Sequence, residues 1–396
     1  MTRKSLSVVL AGGGTAGHIE PAMAVADALT HLDPSIRVTA LGTERGLEKD
    51  LVPARGYDLR MIEAVPLPRH LTKELFRVPG RLHTSVKQAR DVMDDVAADV
   101  LIGFGGYVSM SAYLAARKGS RHIPYIVHEA NARAGIANKI GARHACRVLG
   151  AVPGCGFPID VVGIPVRPTI SQLDRSALRA EAREFFGLDP QAPVLLEFGG
   201  SQGAQSLNRV MNEAVSGLAE KNIGVLQAVG PKNYDCGDPA RGGAPAGAKD
   251  LSLPSGITAR NVAPDNAPAQ IQVPYINTMN LAYAAADCVI CRSGAMTVAE
   301  ISAVGLPSLY VPLPIGNGEQ ALNAQPVIEA GGGTLINDHD LTGQQVIDWA
   351  ENLLTTPGKY QTAVAGALRS GSRNAAEDVA RAACDLVGYS LPASQH

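Results

Sequence analysis

Two glycine-rich turns, one in each half of the 396-residue chain, constrain its fold more than any other feature. The first, residues 12–18, follows the apolar run 8–11, and the second, residues 199–203, follows the apolar run 194–198. Glycine lets backbone amides approach an anion closely, and the helix that follows directs its positive end at the same point. We therefore expect an α/β fold with two nucleotide-type domains.

Composition sets broad limits on the class of protein. With 46% apolar and 18% charged residues, a chain of this length can form two or three domains with large cores. Its 35 Lys and Arg residues nearly balance 37 Asp and Glu residues, giving a net charge of -2. This balance gives no overall electrostatic reason to bind nucleic acid, so we expect none as a partner.

The N-terminus and the cysteines indicate a reducing compartment. The apolar run after residue 4 is too short for a signal peptide, and no apolar run is long enough to span a bilayer. The six cysteines are scattered, which is typical of reduced thiols. Cys288 and Cys291 lie in an apolar strand without a partner Cys or His pair, so we expect a buried structural pair, not a zinc site.

Short apolar runs alternate with helical patterns and predict parallel sheets covered on both faces. One helix is expected to open at Pro21. Pro165 and Pro168 interrupt the alternation, and we place the domains at residues 1–165, 166–370 and 371–396, the last a helix that packs back toward the first domain. Strands are expected near residues 6–11, 38–42, 100–104, 124–128, 147–151, 160–163, 194–198, 223–229, 288–291, 308–311 and 333–336.

Residues 231–272 are rich in Gly, Ala and Pro and show no periodicity. The segment is longer than most connections in compact domains, so we expect a mobile surface excursion.

The first turn formally matches the dinucleotide pattern Gly12-x-Gly14-x-x-Gly17. The acidic ribose partner of that pattern is missing from its usual place, and Glu44 is the nearest candidate. His18 lies where the positive end of the helix disfavours an imidazolium, so a neutral imidazole can accept a proton. We favour a catalytic or acceptor-binding role for His18, with an NAD-dependent oxidoreductase as the rival interpretation.

A second helix start follows the strand 288–291. Met296 and Glu300 are four residues apart and share a helix face. A carboxylate one turn inside such a helix can accept hydrogen bonds from both hydroxyls of a ribose.

Taken together, these motifs resemble the MurG family of glycosyltransferases, which add N-acetylglucosamine to the lipid-linked muramyl-pentapeptide precursor of peptidoglycan. The matching segments follow the family order along nearly the whole chain. They are residues 13–18, 105–109, 128–131, 163–167, 199–204, 291–297 and 319–324.

The resemblance implies two Rossmann-like domains facing across a cleft, the GT-B fold, with UDP-N-acetylglucosamine held mainly by the C-terminal domain. It implies that His18 is the base or an acceptor contact, with Glu129 as the rival base, and that Tyr107 lies on the acceptor side. It also implies the set of substrate-binding residues Thr15, Ala16, Gly17, Asn131, Arg167, Ser201, Ile276, Ala295, Met296, Thr297, Glu300 and Gln320. Ala16, Ala130 and Glu319 depart from the family pattern, and Glu319 adds charge near the sugar pocket.

The segment from Leu71 to Arg90 interleaves apolar and basic residues. An ordinary amphipathic helix would share this pattern, but the family places its membrane-associating surface here, so docking on anionic lipid is expected. The implied location is peripheral, at the cytoplasmic face of the cell membrane, with cell-wall and division proteins as further partners.

The implied reaction is an inverting transfer of N-acetylglucosamine from UDP-N-acetylglucosamine to undecaprenyl-pyrophosphoryl-N-acetylmuramyl-pentapeptide. The alternatives are a non-hydrolysing UDP-N-acetylglucosamine epimerase, another UDP-sugar glycosyltransferase and a regulator that binds a sugar nucleotide. Asp338 and Asp340 form an Asp-x-Asp outside every matched donor motif. We therefore expect no bridging metal and no required cofactor, with a divalent cation such as Mg²⁺ at most stimulatory.

Overall fold

The fold is taken from a computed structural model, which describes residues 5–65, 78–119, 121–200, 202–239, 243–315 and 318–392. The chain divides into two compact units. The first unit comprises Met1–Pro168 together with Ser372–His396, and the second comprises Thr169–Gly371. The short helix α6 (Pro168–Ser171) lies at the division.

The described part of the first unit contains seven parallel strands in the order β3-β2-β1-β4-β5-β6-β7. The strands are β1 (Ser7–Gly12), β2 (Arg37–Gly42), β3 (Asp58–Met61), β4 (Val100–Gly105), β5 (Tyr125–Glu129), β6 (Arg147–Gly150) and β7 (Asp160–Val161). The helices are α1 (Ala16–Leu32), α2 (Glu48–Ala54), α3 (Val78–Asp95), α4 (Gly106–Ala116), α5 (Ile136–Ala142) and, from the end of the chain, α15 (Ala375–Leu386).

Strand β1 shows why this sheet is covered on both faces. Because side chains alternate along a strand, Val8 and Leu10 enter one core cluster and Val9 enters the other. Val379 of α15 belongs to the first cluster, so the C-terminal helix packs within this unit. Helix α1 begins at Ala16, and Pro21 lies inside it, which corrects the expectation that the helix opens at Pro21.

The second unit contains eight strands within the residues described, in the order β10-β11-β12-β9-β8-β13-β14-β15. They are β8 (Val194–Phe198), β9 (Gly224–Ala228), β10 (Lys249–Ser252), β11 (Thr258–Asn261), β12 (Gln270–Val273), β13 (Cys288–Cys291), β14 (Ser308–Tyr310) and β15 (Gly333–Leu335). The helices are α7 (Arg175–Phe186), α8 (Gln205–Glu220), α9 (Pro231–Tyr234), α10 (Met279–Ala285), α11 (Ala295–Ala303), α12 (Glu319–Glu329), α13 (Gly343–Thr355) and α14 (Lys359–Ser370).

The expectation of a surface excursion at residues 231–272 is wrong. Strands β10 and β11 add antiparallel to the sheet, and β12 pairs in parallel with β9. The buried residues of these strands include Arg260, Gln270 and Gln272, so the apolar alternation that would reveal a strand is absent from the sequence. Strand β3 was also missed, because it is an edge strand with little buried surface.

In both sheets the strand order reverses beside the strand that precedes a glycine-rich turn. Strand β1 lies between β2 and β4, and β8 lies between β9 and β13. Open parallel sheets bind ligands at the carboxyl ends of the strands beside such a reversal. Each unit therefore presents one candidate ligand edge.

Candidate active site

A buried carboxylate holds the first glycine-rich turn. Glu48 is fully buried and accepts hydrogen bonds from the amide of Gly14 at 3.2 Å and from the amide and hydroxyl of Thr43 at 3.0 and 3.1 Å. Sequence reasoning missed Glu48 and named Glu44. Its position in the sequence could have revealed it, because Glu48 follows β2, and dinucleotide-binding folds carry the acidic residue that binds the ribose at such a position. Here the carboxylate binds the protein's own turn.

His18 occupies the first turn of α1, and its imidazole contacts the turn beneath it. Nδ1 lies 3.2 Å from the carbonyl oxygen of Gly13 and 3.3 Å from the hydroxyl oxygen of Thr15. Because a carbonyl only accepts, the bond to Gly13 requires the proton on Nδ1, which leaves the lone pair on Nε2. In the neutral imidazole this tautomer leaves Nε2 able to accept a proton.

The β4–α4 turn makes room for this imidazole. Gly105 and Gly106 have φ values of +104° and +79°, and a Cβ atom at Gly105 would lie 3.1 Å from Nε2 of His18. Tyr107 follows, with its hydroxyl 3.2 Å from that of Thr43. The ring of Tyr107 packs against Gly14. The structure thus brings Tyr107 and His18 to the same turn, whose residues Thr15, Ala16 and Gly17 are exposed.

Glu129 organises the loop after β5. Its buried carboxylate accepts hydrogen bonds from the amides of Asn131 and Gly135 at 2.9 and 3.2 Å and from the side chain of Asn138 at 2.9 Å. These bonds use both oxygens, which favours a positioning role over that of a base. The side chain of Asn131 is half-buried and lies 3.4 Å from the same carboxylate.

His128 links this loop to the end of the unit. Nε2 of the buried imidazole donates to the carbonyl of Gly163 at 2.8 Å. Burial lowers the pKa of His128 to about 4, against the smaller opposing effect of that carbonyl. The imidazole is therefore neutral and serves as a hydrogen-bond donor. Four residues beyond Gly163, Arg167 is half-buried.

In the second unit, the glycine-rich turn precedes α8. Ser201 lies outside the described residues. Gly203 has a φ of +72°, and a Cβ atom there would collide with the carbonyl of Val229. Helix α8 begins without a side-chain cap, so its first amides have no partner from an N-cap side chain. The start of α8 can therefore attract an anion.

Helix α11 presents the second group of expected donor residues. Ala295, Met296 and Thr297 form its half-buried first turn. One turn further on, the carboxylate of Glu300 accepts a hydrogen bond from the hydroxyl of Tyr283 at 2.9 Å. That contact orients Glu300 on the helix face it shares with Met296.

The remaining expected donor residues lie in two loops. Ile276 is buried and follows β12. Gln320 lies in the first turn of α12, and its side-chain oxygen accepts the amide of Leu313 at 3.0 Å. This bond folds the start of α12 onto the loop after β14.

Cys288 and Cys291 are buried in β13 as free thiols. Burial raises the pKa of both thiols, so neither supplies a thiolate at neutral pH. The expected burial of the pair is confirmed.

The basic segment from Leu71 to Arg90 is described from residue 78 onward, and residues 71–77 lie outside the described part. Arg81 forms an ion pair with Glu63 at 3.0 Å, and Arg90 forms one with Asp94 at 2.8 Å. Lys87 is exposed on the same helix. Among the helices of the described residues, none has the length and apolar character needed to cross a membrane.

Solved structures identify the class of protein that this fold defines. The crystal structure of Acinetobacter baumannii MurG matches with a TM-score of 0.69 at 25% identity and covers 96% of this chain and 99% of its own. The calicheamicin glycosyltransferase CalG4 matches with a TM-score of 0.61 at 17% identity, which shows the fold alone. Two α/β units with parallel-sheet cores are thus the architecture of GT-B glycosyltransferases, as expected from the sequence.

The family follows from sequence comparison. Residues 8–149 match the glycosyltransferase family 28 N-terminal domain, and residues 194–379 match its C-terminal domain. The chain belongs to glycosyltransferase family 28, and the expected resemblance to MurG is confirmed.

Two curated relatives share the name UDP-N-acetylglucosamine--N-acetylmuramyl-(pentapeptide) pyrophosphoryl-undecaprenol N-acetylglucosamine transferase. The protein from Mycolicibacterium smegmatis is 56% identical over 97% of this chain and 94% of its own length. The protein from Nocardia farcinica is 57% identical over 96% of this chain and 95% of its own.

Proposed function

We propose that this chain transfers N-acetylglucosamine from UDP-N-acetylglucosamine to undecaprenyl-pyrophosphoryl-N-acetylmuramyl-pentapeptide, a step of peptidoglycan synthesis. The observation that carries this function is 56% identity, over nearly the full length of both chains, to a transferase of that name. The chain is a UDP-N-acetylglucosamine-dependent hexosyltransferase. The reaction joins an acceptor hydroxyl to the anomeric carbon and releases UDP.

We assign the donor to the second unit. The diphosphate would lie at the turn 199–203, where the amides around Ser201 and the start of α8 would receive its charge. Glu300 would accept from both ribose hydroxyls, and Ile276 would meet the uracil through its backbone. Gln320 would bind the hydroxyls of the sugar, next to the helix turn formed by Ala295, Met296 and Thr297.

We assign the acceptor to the first unit. Its hydroxyl would attack the anomeric carbon from the face opposite UDP, and the proton would pass to Nε2 of His18. The hydrogen bond from Nδ1 to Gly13 supports this role, because it directs the lone pair to Nε2. Thr15, Ala16, Gly17 and Tyr107 would line this side of the site.

Asn131 and Arg167 complete the proposed donor contacts from the first unit. The bonds that Glu129 makes to the loop after β5 support an indirect role, in which it positions Asn131. Arg167 would add positive charge for the diphosphate, and charge-assisted hydrogen bonds of this kind contribute about 1.5–3 kcal/mol. Charge stabilisation of the leaving UDP would thus come from both helix amides and a guanidinium group.

We further propose that the enzyme works as a peripheral protein at the cytoplasmic face of the membrane, docking through the segment from Leu71 to Arg90. Each basic residue near an anionic surface contributes about 1 kcal/mol. Since Arg81 and Arg90 already pair with acids, Lys73, Arg77 and Lys87 would supply most of the attraction.

Charge reversal of these three should abolish sedimentation with anionic vesicles, whereas reversal of Lys221 in the second unit should not. Contacts with cell-wall and division proteins belong to the same proposal.

Transfer of labelled sugar to a lipid-linked acceptor tests the reaction directly. We expect label in the lipid fraction and stoichiometric release of UDP, with neither product when the acceptor is omitted. Turnover of the donor without acceptor would instead support an epimerase. Binding of UDP without either reaction would support a regulator, and the transferase assignment would then fail.

A further inference from the structure

The two carboxylates of the Asp-x-Asp differ in their surroundings. Asp338 has a side chain only 15% exposed, and its Oδ1 lies 2.5 Å from Nη1 of Arg292. The same oxygen accepts a hydrogen bond from the hydroxyl of Ser206 at 2.7 Å. Asp340 is 53% exposed and contacts only near neighbours in the described chain, Asn337 and His339. Asp338, unlike Asp340, belongs to a half-buried network.

Arg292 is the centre of this network. It follows β13 directly and is 11% exposed. Nη1 donates to the carbonyls of Val311 and Pro312 at 3.1 Å, and Nη2 donates to the hydroxyl of Ser206 at 2.8 Å. One guanidinium therefore links the ends of β13 and β14 to the first turn of α8.

These three segments each lead into a part of the proposed donor site. The start of α8 faces the proposed diphosphate position, β13 continues into α11 with Glu300, and β14 continues into the loop that Gln320 contacts. Helix α8 has no side-chain cap of its own. Its first turn is instead held through the hydroxyl of Ser206, which donates to Asp338 and accepts from Arg292.

We propose that Ser206, Arg292 and Asp338 are positioning residues that hold the start of α8 in register with β13 and β14. The network thereby sets the affinity for the nucleoside diphosphate part of the donor. This inference rests on the proposed function, because it takes the diphosphate to bind at α8. The role of Asp338 is to orient the guanidinium and the hydroxyl.

Ser206 offers a test without a change in charge. Ser206→Ala removes both hydrogen bonds to α8, whereas Ser206→Thr keeps the hydroxyl. We expect Ser206→Ala to raise the KM for UDP-N-acetylglucosamine about tenfold, since a tenfold change corresponds to about 1.4 kcal/mol, the order of the net contribution of one hydrogen bond. The kcat and the melting temperature should stay close to the wild-type values, and Ser206→Thr should restore the KM.

Asp338 offers a test in which charge and position act in opposite directions. Asp338→Asn removes a negative charge near the diphosphate, so a purely electrostatic role predicts a lower KM for the donor. Loss of the ion pair frees the guanidinium, so a positioning role predicts a higher KM. We expect the higher value. Asp340→Asn, two residues away in the same motif, is the matched control and should leave the KM unchanged.

The outcomes separate this inference from the proposed function. If the wild-type enzyme transfers sugar while Ser206→Ala and Asp338→Asn keep its donor KM, the positioning role is wrong. A parallel fall in kcat and melting temperature in both variants, without a change in KM, would also overturn it. If the wild-type enzyme neither binds UDP nor transfers sugar, the proposed function itself fails.

Discussion

His18 and Glu197 show what single side chains contribute in this enzyme. The imidazole of His18 is fixed through Nδ1 and contacts the turn between β4 and α4. Glu197 lies fully buried in β8, two residues before the second glycine-rich turn. Burial raises the pKa of Glu197 to about 8, against smaller opposing effects of Gln227 and Arg292. His18 is thus held by its own turn, as the proposed role of base requires, and Glu197 carries a proton in the folded protein at neutral pH.

Replacement of His18 by Ala should lower kcat by about 10²–10⁴-fold, which is the usual contribution of a general base. The KM for UDP-N-acetylglucosamine should change little, because His18 is not among the proposed donor contacts. Steady-state kinetics with both substrates measure the two constants. His31→Ala, an exposed site on the same helix, is the control. A raised donor KM with unchanged kcat would contradict the assignment of His18 as the base.

Replacement of Glu197 by Gln should stabilise the protein progressively as the pH rises. The unfolded carboxyl loses its proton near pH 4.5, whereas the folded one retains it to about pH 8. The wild type therefore loses stability between these values, and the variant does not titrate there. Denaturant unfolding at several pH values from about 5 to about 8.5 measures the difference in the free energy of unfolding between the variant and the wild type. A constant difference across the window would refute the raised pKa.

At the scale of elements, a ladder of polar side chains ties the segment 231–272 to the sheet of the second unit. Arg260 of β11 donates to the side chain of Gln272 at 2.9 Å, and Gln272 donates to that of Gln227 at 2.7 Å. The guanidinium of Arg260 also lies 4.1 Å from the ring centre of Tyr234 and donates to its carbonyl. The ladder connects β11, β12 and β9 with helix α9.

Arg260→Ala should destabilise this segment by about 2–4 kcal/mol, because it removes charge-assisted bonds and leaves buried acceptors without a donor. Hydrogen exchange should accelerate in α9, β10 and β11 more than in β13. Lys249→Ala is the matched control, since its ion pair with Asp265 is exposed to solvent and contributes little to stability. If hydrogen exchange in Arg260→Ala accelerated equally throughout the second unit, the ladder would not act locally.

At the scale of the whole molecule, the chain repeats one architecture in two units. Each unit has a glycine-rich turn beside the reversal of its strand order. The residues around the two turns differ: the first has His18 and Glu48, and the second has the network of Ser206, Arg292 and Asp338. This difference supports an unequal division of labour between acceptor and donor.

UDP should therefore protect the second unit more than the first. A ligand at about 100 times its Kd stabilises the folded state by about 2.7 kcal/mol. In hydrogen exchange of the full chain, protection should be greatest at the starts of α8, α11 and α12. NADH should give no protection, which would distinguish the enzyme from an oxidoreductase. Protection greatest at residues 12–18 would contradict the donor assignment.

The sequence by itself determined the two glycine-rich turns, the parallel strands beside them and, through ordered motifs, the family. These features depend on local residue types: glycine where backbones approach, and continuous apolar runs where strands are buried on both faces. The buried strand β12 was missed because Gln270 and Gln272 break the apolar pattern. Their partners lie on other strands, which a local pattern does not reveal.

Only the tertiary structure decided which polar residues act together. Glu48 reaches back 34 residues to the amide of Gly14, and Asp338 reaches 132 residues to Ser206. The sequence assigned no role to Glu48 and placed Asp338 outside the donor motifs. The physical reason is that hydrogen bonds and ion pairs depend on distances of about 3 Å in space, which chain packing sets. The turns were therefore evident from the residues, but the side chains that hold them were not.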